Sequence, residues 1–279
     1  MQGLHLLILG LVAVALTSAQ VRDLDPKVME DIQNQKADID RIISLVQGNF
    51  KHKTWEMLAN FTDTFGPRVS GSQALEDSID FILDFLDEQG FDTHGENVTV
   101  PDWRRDWNEY GKILTPRPQD IAVWALGGSV STGATPIKAE VIVVKTFEQL
   151  EARKAEVPGK IVVFNQDWTG YSSTVAYRHG SVQASLYGAV ASLTKSVADF
   201  SLYTPHTGQT NYNESVAPKI PAACITIEDA ELLHRYQEAG LKIELEIKFE
   251  PVTHPDTISR NVVAEIKGEE LPDEIVLFG

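Results

Sequence analysis

The chain has 279 residues, 43% of them hydrophobic and 23% charged, a globular rather than disordered composition. Its formal net charge of −16 repels phosphate backbones and excludes nucleic acid as a partner class. A single cysteine, Cys224, excludes an intramolecular disulfide framework and any cysteine-based zinc site.

Residues Leu4 to Leu16 are almost wholly apolar and run into Thr17-Ser18-Ala19-Gln20. This is a hydrophobic stretch of signal-peptide length before a small-residue cleavage pattern, so residues 1–19 are expected to be removed. A buried N-terminal helix is the alternative reading, because the first residues carry no Lys or Arg. The run is short of the roughly 20 apolar residues of a membrane span, and no later stretch is apolar enough, so no membrane span is expected. Secretion gives meaning to three sequons, at Asn60, Asn97 and Asn213. Cys224, within Pro221-Ala222-Ala223-Cys224-Ile225-Thr226-Ile227, reads as a small buried hydrophobe rather than a nucleophile.

The mature chain opens with helices. Asp25 is placed to cap a helix with Pro26 at its first position, and Val28, Ile32, Ile39, Ile42, Ile43 and Val46 recur at helical spacing up to Gly48. A second helix is expected over His52 to Asp63. Gly66-Pro67-Arg68-Val69-Ser70-Gly71-Ser72 breaks the pattern, and Ser70 with Gln73 predicts a capping box for a third helix. That helix carries Leu75, Ile79, Ile82, Leu83 and Leu86 on an apolar stripe. Its acidic residues, Glu76 among them, are expected on a solvated face. Arg68, beside its start, suits either a bound carboxylate or a structural ion pair. Gly90 ends the helix, and a strand is expected over Phe91 to Val100.

Further strands are expected at Ile121–Leu126, Ala139–Val144, Lys160–Phe164, Ala222–Ile227 and Leu241–Phe249. In the last, Leu241, Ile243, Leu245, Ile247 and Phe249 share one face. Helices are expected at Phe147–Ala155, Ser181–Tyr187 and Glu228–Glu238. Two closing strands, Val262–Ile266 and Glu274–Phe278, follow. The whole is α/β, with a compact β-rich region in the middle. Ile275-Val276-Leu277-Phe278 reads as a buried strand. In α/β enzymes the site lies just beyond such strands, so the chain is expected to be the first part of a longer protein.

Chemistry motifs are sparse. There is no His-Glu-x-x-His and no Gly-x-Ser-x-Gly, and Gly127 to Gly133 lacks the Lys of a phosphate-binding loop, so it reads as a turn. His52, His94, His179, His206, His234 and His254 show no local zinc-ligand spacing. Tyr203-Thr204-Pro205-His206-Thr207-Gly208 is rigid, polar and aromatic. It is expected to be a solvated loop, with a ligand site as the sharper alternative.

Several of these segments carry a family resemblance. Gly66 to Ser72 before an amphipathic helix resembles the opening motif of secreted zinc exopeptidases with paired metal ions. Gly159 to Gln166, Gly188 to Leu193, Tyr203 to Gly208 and Lys219 to Ala230 resemble the protease-associated domain inserted in members of that group. The resemblance implies a partial zinc-exopeptidase α/β domain, helices plus mixed sheet, interrupted by a β-rich protease-associated domain. The corresponding division is residues 20–117, an insert over 118–255, and a return to the peptidase sheet over 256–279. It further implies two zinc ions, a bridging water, a Glu base, dipeptides or small peptides with free termini as substrates, and a homodimer. Secretion, or a lysosomal or other secretory-pathway compartment, goes with it. The family's metal ligands and base follow the strand matching Glu274–Phe278, so no catalytic or metal residue is assigned in this chain. The full-length protein is expected to be active and this chain alone inactive. A secreted, non-catalytic binding module of the protease-associated type is the competing reading.

Overall fold

The computed structural model describes residues 25–105 and 108–279, and the expected leader lies outside them. The described residues divide into two compact units on either side of Gly66–Pro67.

In the first unit, α1 (Pro26–Asn34), α2 (Lys36–Gln47) and α3 (Lys53–Phe65) follow one another. The Asp25 carboxylate accepts the Lys27 backbone N–H at 2.9 Å, with Pro26 in the first turn, as the sequence predicts. The apolar periodicity up to Gly48 is shared by two helices rather than one. Gln35 closes α1 and opens α2, and Gly48 ends α2. None of the three helices buries a residue, so their apolar stripes are amphipathic but uncovered.

The second unit opens with α4 (Gln73–Glu88) and β1 (Asp92–Arg104). The cap of α4 is Ser72, not Ser70: Ser72 has extended backbone, and its Oγ accepts the Leu75 N–H at 3.2 Å. Ser70 instead donates its hydroxyl to the Pro101 carbonyl at 2.6 Å, pinning the segment before α4 to β1. Gly71 is required there. Its φ is +79°, and a Cβ would stand 2.9 Å from the Asp102 side chain.

Seven more strands and four helices follow: β2 (Tyr110–Thr115), β3 (Gln119–Ile121), β4 (Val123–Ala125), β5 (Ile137–Val144), α5 (Phe147–Ala152), β6 (Ile161–Phe164), α6 (Tyr171–Thr174), α7 (Gly180–Leu186), β7 (Ala191–Lys195) and β8 (Ala222–Ile225) in chain order, then α8 (Ile227–Glu238). The last strands are β9 (Glu244–Lys248) and β10 (Val252–Glu265). They make two sheets. β1 and β10 form an antiparallel pair, and the rest form a mixed sheet in the order β3-β2-β9-β5-β6-β7-β8-β4. β5, β6, β7 and β8 run parallel, and the other pairings are antiparallel.

The two ends of that order, β3 and β4, are separated along the chain only by Ala122. The sheet therefore curls until its edges meet. Gly111 on β2 allows this, because a Cβ there would lie 2.4 Å from Val123 Cγ2. The single strand expected over Ile121–Leu126 is thus a corner, with the Asp229 carboxylate accepting the Ala122 N–H at 3.2 Å. One core cluster lies on the concave side, built from Ile113, Val163, Leu193, Leu245 and Phe249, with Ala230 and Leu233 from α8. The other lies behind the parallel strands, where α5 and α7 cover Ile142, Val144, Val162 and Phe164. Covered on both faces, β6 reads Ile-Val-Val-Phe and is wholly buried, whereas antiparallel β9 alternates. Leu241 departs from the expected face. It sits in the turn after α8, its N–H on the Tyr236 carbonyl, and is exposed.

β10 is far longer than the strand expected at Val262–Ile266. Its first half was hidden in the sequence by Pro255 and polar neighbours, which fall at the register shift opposite Pro101. The mixed sheet begins with β2, ahead of residue 118, because the proline-bearing segment 116–118 turns the β2–β3 hairpin. Residue 256 lies inside β10. Glu76 does not sit on a solvated face. It accepts the Ser259 hydroxyl at 2.6 Å and pairs with Arg260 at 3.1 Å, tying α4 to β10; Asp80 joins Arg260 at 2.8 Å. Glu274–Phe278 is not a strand in this structure. Its apolar side chains are exposed, Phe278 at 89%, because no strand lies beside it to cover a face.

Candidate functional site

Among the described residues no three His, Cys, Asp or Glu side chains come together as a metal site. The histidines are dispersed: His52 opens α3, His94 lies on β1, His234 on α8 and His254 on β10. His179 accepts the Asn211 N–H at 3.0 Å through Nδ1, and His206 Nδ1 meets the Val197 carbonyl. The Gly127–Gly133 segment is a turn, as expected, with the Ser129 N–H on the Leu126 carbonyl and Gly128 at φ +80°. Asn60, Asn97 and Asn213 are all exposed, and Asn213 Oδ1 accepts the Ser215 hydroxyl at 2.6 Å.

Cys224 is buried in β8, and its Sγ donates to the His206 carbonyl at 3.3 Å. Burial pushes its thiol up to about 12. At about pH 8 only about one thiol in 10⁴ is then ionised, and the thiolate is the reacting form. Iodoacetamide is expected to leave the native protein unlabelled at that pH and to add one label per chain after guanidinium unfolding. Rapid labelling of the native protein would show an accessible thiolate.

The Tyr203–Gly208 segment is not a freely solvated loop. Buried Arg178 reaches up into it, donating to the Thr207 carbonyl at 2.8 Å and to the His206 carbonyl at 3.4 Å. Ser196 Oγ accepts the His206 N–H at 2.8 Å. The loop so held forms one wall of an apolar cavity of about 350 Å³, with Trp168, Tyr171, Phe200 and Leu202 on the others. A smaller cavity of about 160 Å³ adjoins it through Trp168, Ala198 and Asp199 and reaches Gln166, Thr174 and Lys195. Both open where β6 and β7 end side by side. Lys195, the last residue of β7, pairs with Glu231 of α8 at 3.0 Å. Partial burial pushes the Glu231 carboxyl upward, but the hydrogen bond and charge of Lys195, with help from Asn165 and Lys145, outweigh it and hold Glu231 below the usual carboxylate range. Sequence reading passed over Gln166, Arg178 and Lys195. The available signal was the polar pair Asn165-Gln166 directly after an all-apolar parallel strand, the place where α/β sheets take ligands.

No family model matches the chain. Its mixed α/β architecture matches the M28 peptidase fold. The crystal structure of a peptidase M28 precursor from Shewanella amazonensis superposes with a TM-score of 0.80 at 30% identity, over 88% of this chain and 57% of that one. A zinc aminopeptidase from Bacillus subtilis shares the fold at 19% identity and a TM-score of 0.55, over 77% of this chain and 47% of that one. Within that class the resemblance is to carboxypeptidase Q. The mouse protein (Mus musculus) is 43% identical over 276 residues, 98% of this chain and 58% of its own length. The chain spans about half the length of the curated relatives it matches.

Proposed function

We propose that the chain is the amino-terminal portion of a secreted zinc metallopeptidase of the carboxypeptidase Q type. The full-length protein hydrolyses dipeptides or small peptides with free termini, and the β-rich region is its protease-associated insert. The observation that carries this reading is the 43% identity over 276 residues. The zinc in the name of the Bacillus neighbour supports the choice of metal. The described residues do not fit a metal, since no ligand cluster exists among them, and no hydrolytic step is assigned to them. The absence of such a cluster also favours the second reading, a non-catalytic secreted binding module. Dimer formation and residence in the secretory pathway belong to the same proposal.

The test is to express residues 20–279 and the native gene product side by side and supply zinc with an unblocked dipeptide. The native product is expected to turn over and residues 20–279 to match the blank. Turnover by residues 20–279 would overturn the assignment. A native product of no more than 30.9 kDa after deglycosylation, without activity, would favour the binding module. Glycosidase treatment of the secreted protein is expected to lower its mass, through glycans on at least one of Asn60, Asn97 and Asn213. An unchanged mass contradicts that part.

A further inference from the structure

We propose that the cleft at the carboxyl ends of β6 and β7 binds a peptide through a basic side chain, Arg or Lys, with a neighbouring apolar residue in the groove beside it. The inference rests on the mixed sheet alone and stands apart from the peptidase reading.

Gln166 supplies the first observation. It is 1% exposed and lines the smaller cavity. Its Nε2 donates to the Lys195 carbonyl at 2.8 Å. That bond fixes the amide, because the flipped amide would set two oxygens together. Oε1 is left buried with no partner in the protein. A buried acceptor without a donor is costly, so the cleft favours an occupant that brings an N–H.

None of the neighbouring donors is bonded to Oε1. Lys195 Nζ is on Glu231, and Thr174 Oγ1 accepts the Thr169 N–H at 3.2 Å. Ser196 Oγ accepts from His206 and lies 2.9 Å from the Ile225 carbonyl, to which it donates. The cleft therefore presents an acceptor.

Charge and apolar surface narrow the occupant. Asp199 lies where the two cavities join. Its carboxylate is exposed and has no ion pair among the described residues. An acceptor and a carboxylate together select a cation bearing N–H donors. Beside them Trp168, Tyr171, Phe200 and Leu202 leave apolar surface open, with Leu202 at 77%. Such surface suits the methylene stem of Arg or Lys and an adjoining apolar residue, and aromatic faces attract the cation itself. The net charge of −16 adds a general attraction for basic peptides.

The test uses the secreted chain and a fluorescent acetyl-Arg-Phe-Ala-amide. Both ends are blocked, so an exopeptidase cannot consume it, and hydrolysis and binding are read separately. The same peptide with Gln in place of Arg is the control. Saturable binding is expected, about tenfold weaker for the Gln peptide and about tenfold weaker for Asp199→Asn. Gln166→Met is expected to weaken it as well. Asp199 is at the surface, so Asp199→Asn keeps the question open if Gln166→Met fails to fold. Equal binding of the Arg and Gln peptides, unchanged binding by Asp199→Asn, or no saturation would overturn the proposal and leave the cleft to water.

Discussion

Phe164→Ala is expected to lower the unfolding free energy of the second unit by about 3–5 kcal/mol. Phe164 closes β6 and is fully buried. Its ring meets Phe147 at 5.4 Å and Tyr177 at 5.8 Å between centroids. The N-terminus of α7 sits directly against the ring, and a Cβ at Gly180 would stand only 2.4 Å from Phe164 Cε2. Helix and strand therefore share one contact that neither can move to refill, so truncation leaves a cavity as well as lost burial. Phe164→Leu, which keeps most of the volume, is expected to cost clearly less. Urea titration followed by circular dichroism measures both. A loss under about 1 kcal/mol for Phe164→Ala would show that α7 collapses onto the strand after all.

Gly208→Ala is expected to cost about 2–3 kcal/mol, large for a single methyl group. The added Cβ would lie 2.2 Å from Arg178 Nη1 and 2.4 Å from its Cζ. Arg178 cannot swing aside freely. It is 5% exposed, donates to the Thr207 carbonyl, and donates to the Tyr171 hydroxyl at 3.1 Å. Relieving the clash means giving up those bonds to the 203–208 loop. Thermal unfolding and the peptide-binding assay are both expected to register it, because the loop walls the apolar groove. A variant with wild-type stability would show that the loop shifts without help from Arg178.

The regular elements were legible where one physical signal dominates. The all-apolar Ile161–Phe164 and the alternating Ile243–Phe249 follow directly from how many faces each strand buries. The helices expected at Phe147–Ala155 and Glu228–Glu238 are present as α5 and α8, but their caps at Thr146 and Thr226, whose Oγ atoms accept from Gln149 and Asp229, were not read, and Thr226 was expected in the preceding strand. What escaped depends on partners distant in sequence. β2 carries Gly111 and a weak pattern, and it exists because β3 and β9 flank it. The role of Glu76 needs Arg260, which lies 184 residues further on. In Ser70 against Ser72, local chemistry favoured one cap while docking on β1 selected the other. The Glu274–Phe278 run shows the reverse failure: its apolar residues have strand propensity, but a strand needs a neighbour. The cleft was the least legible, since Gln166 and Asp199 have no common motif and line one cavity only through the ends of β6 and β7, while Arg178 holds the neighbouring loop.

The family resemblance was legible because it resides in short segments fixed by the backbone, such as the Gly71 turn against Asp102. Among the described residues the histidines are dispersed and no three metal-ligating side chains come together. Zinc stoichiometry therefore tests the account most directly. The purified chain of residues 20–279 is dialysed with zinc against a chelating buffer and its metal content measured. No stoichiometric retention of zinc is expected. One or two zinc ions held per chain, lost on mutation of particular His or Asp residues, would contradict it.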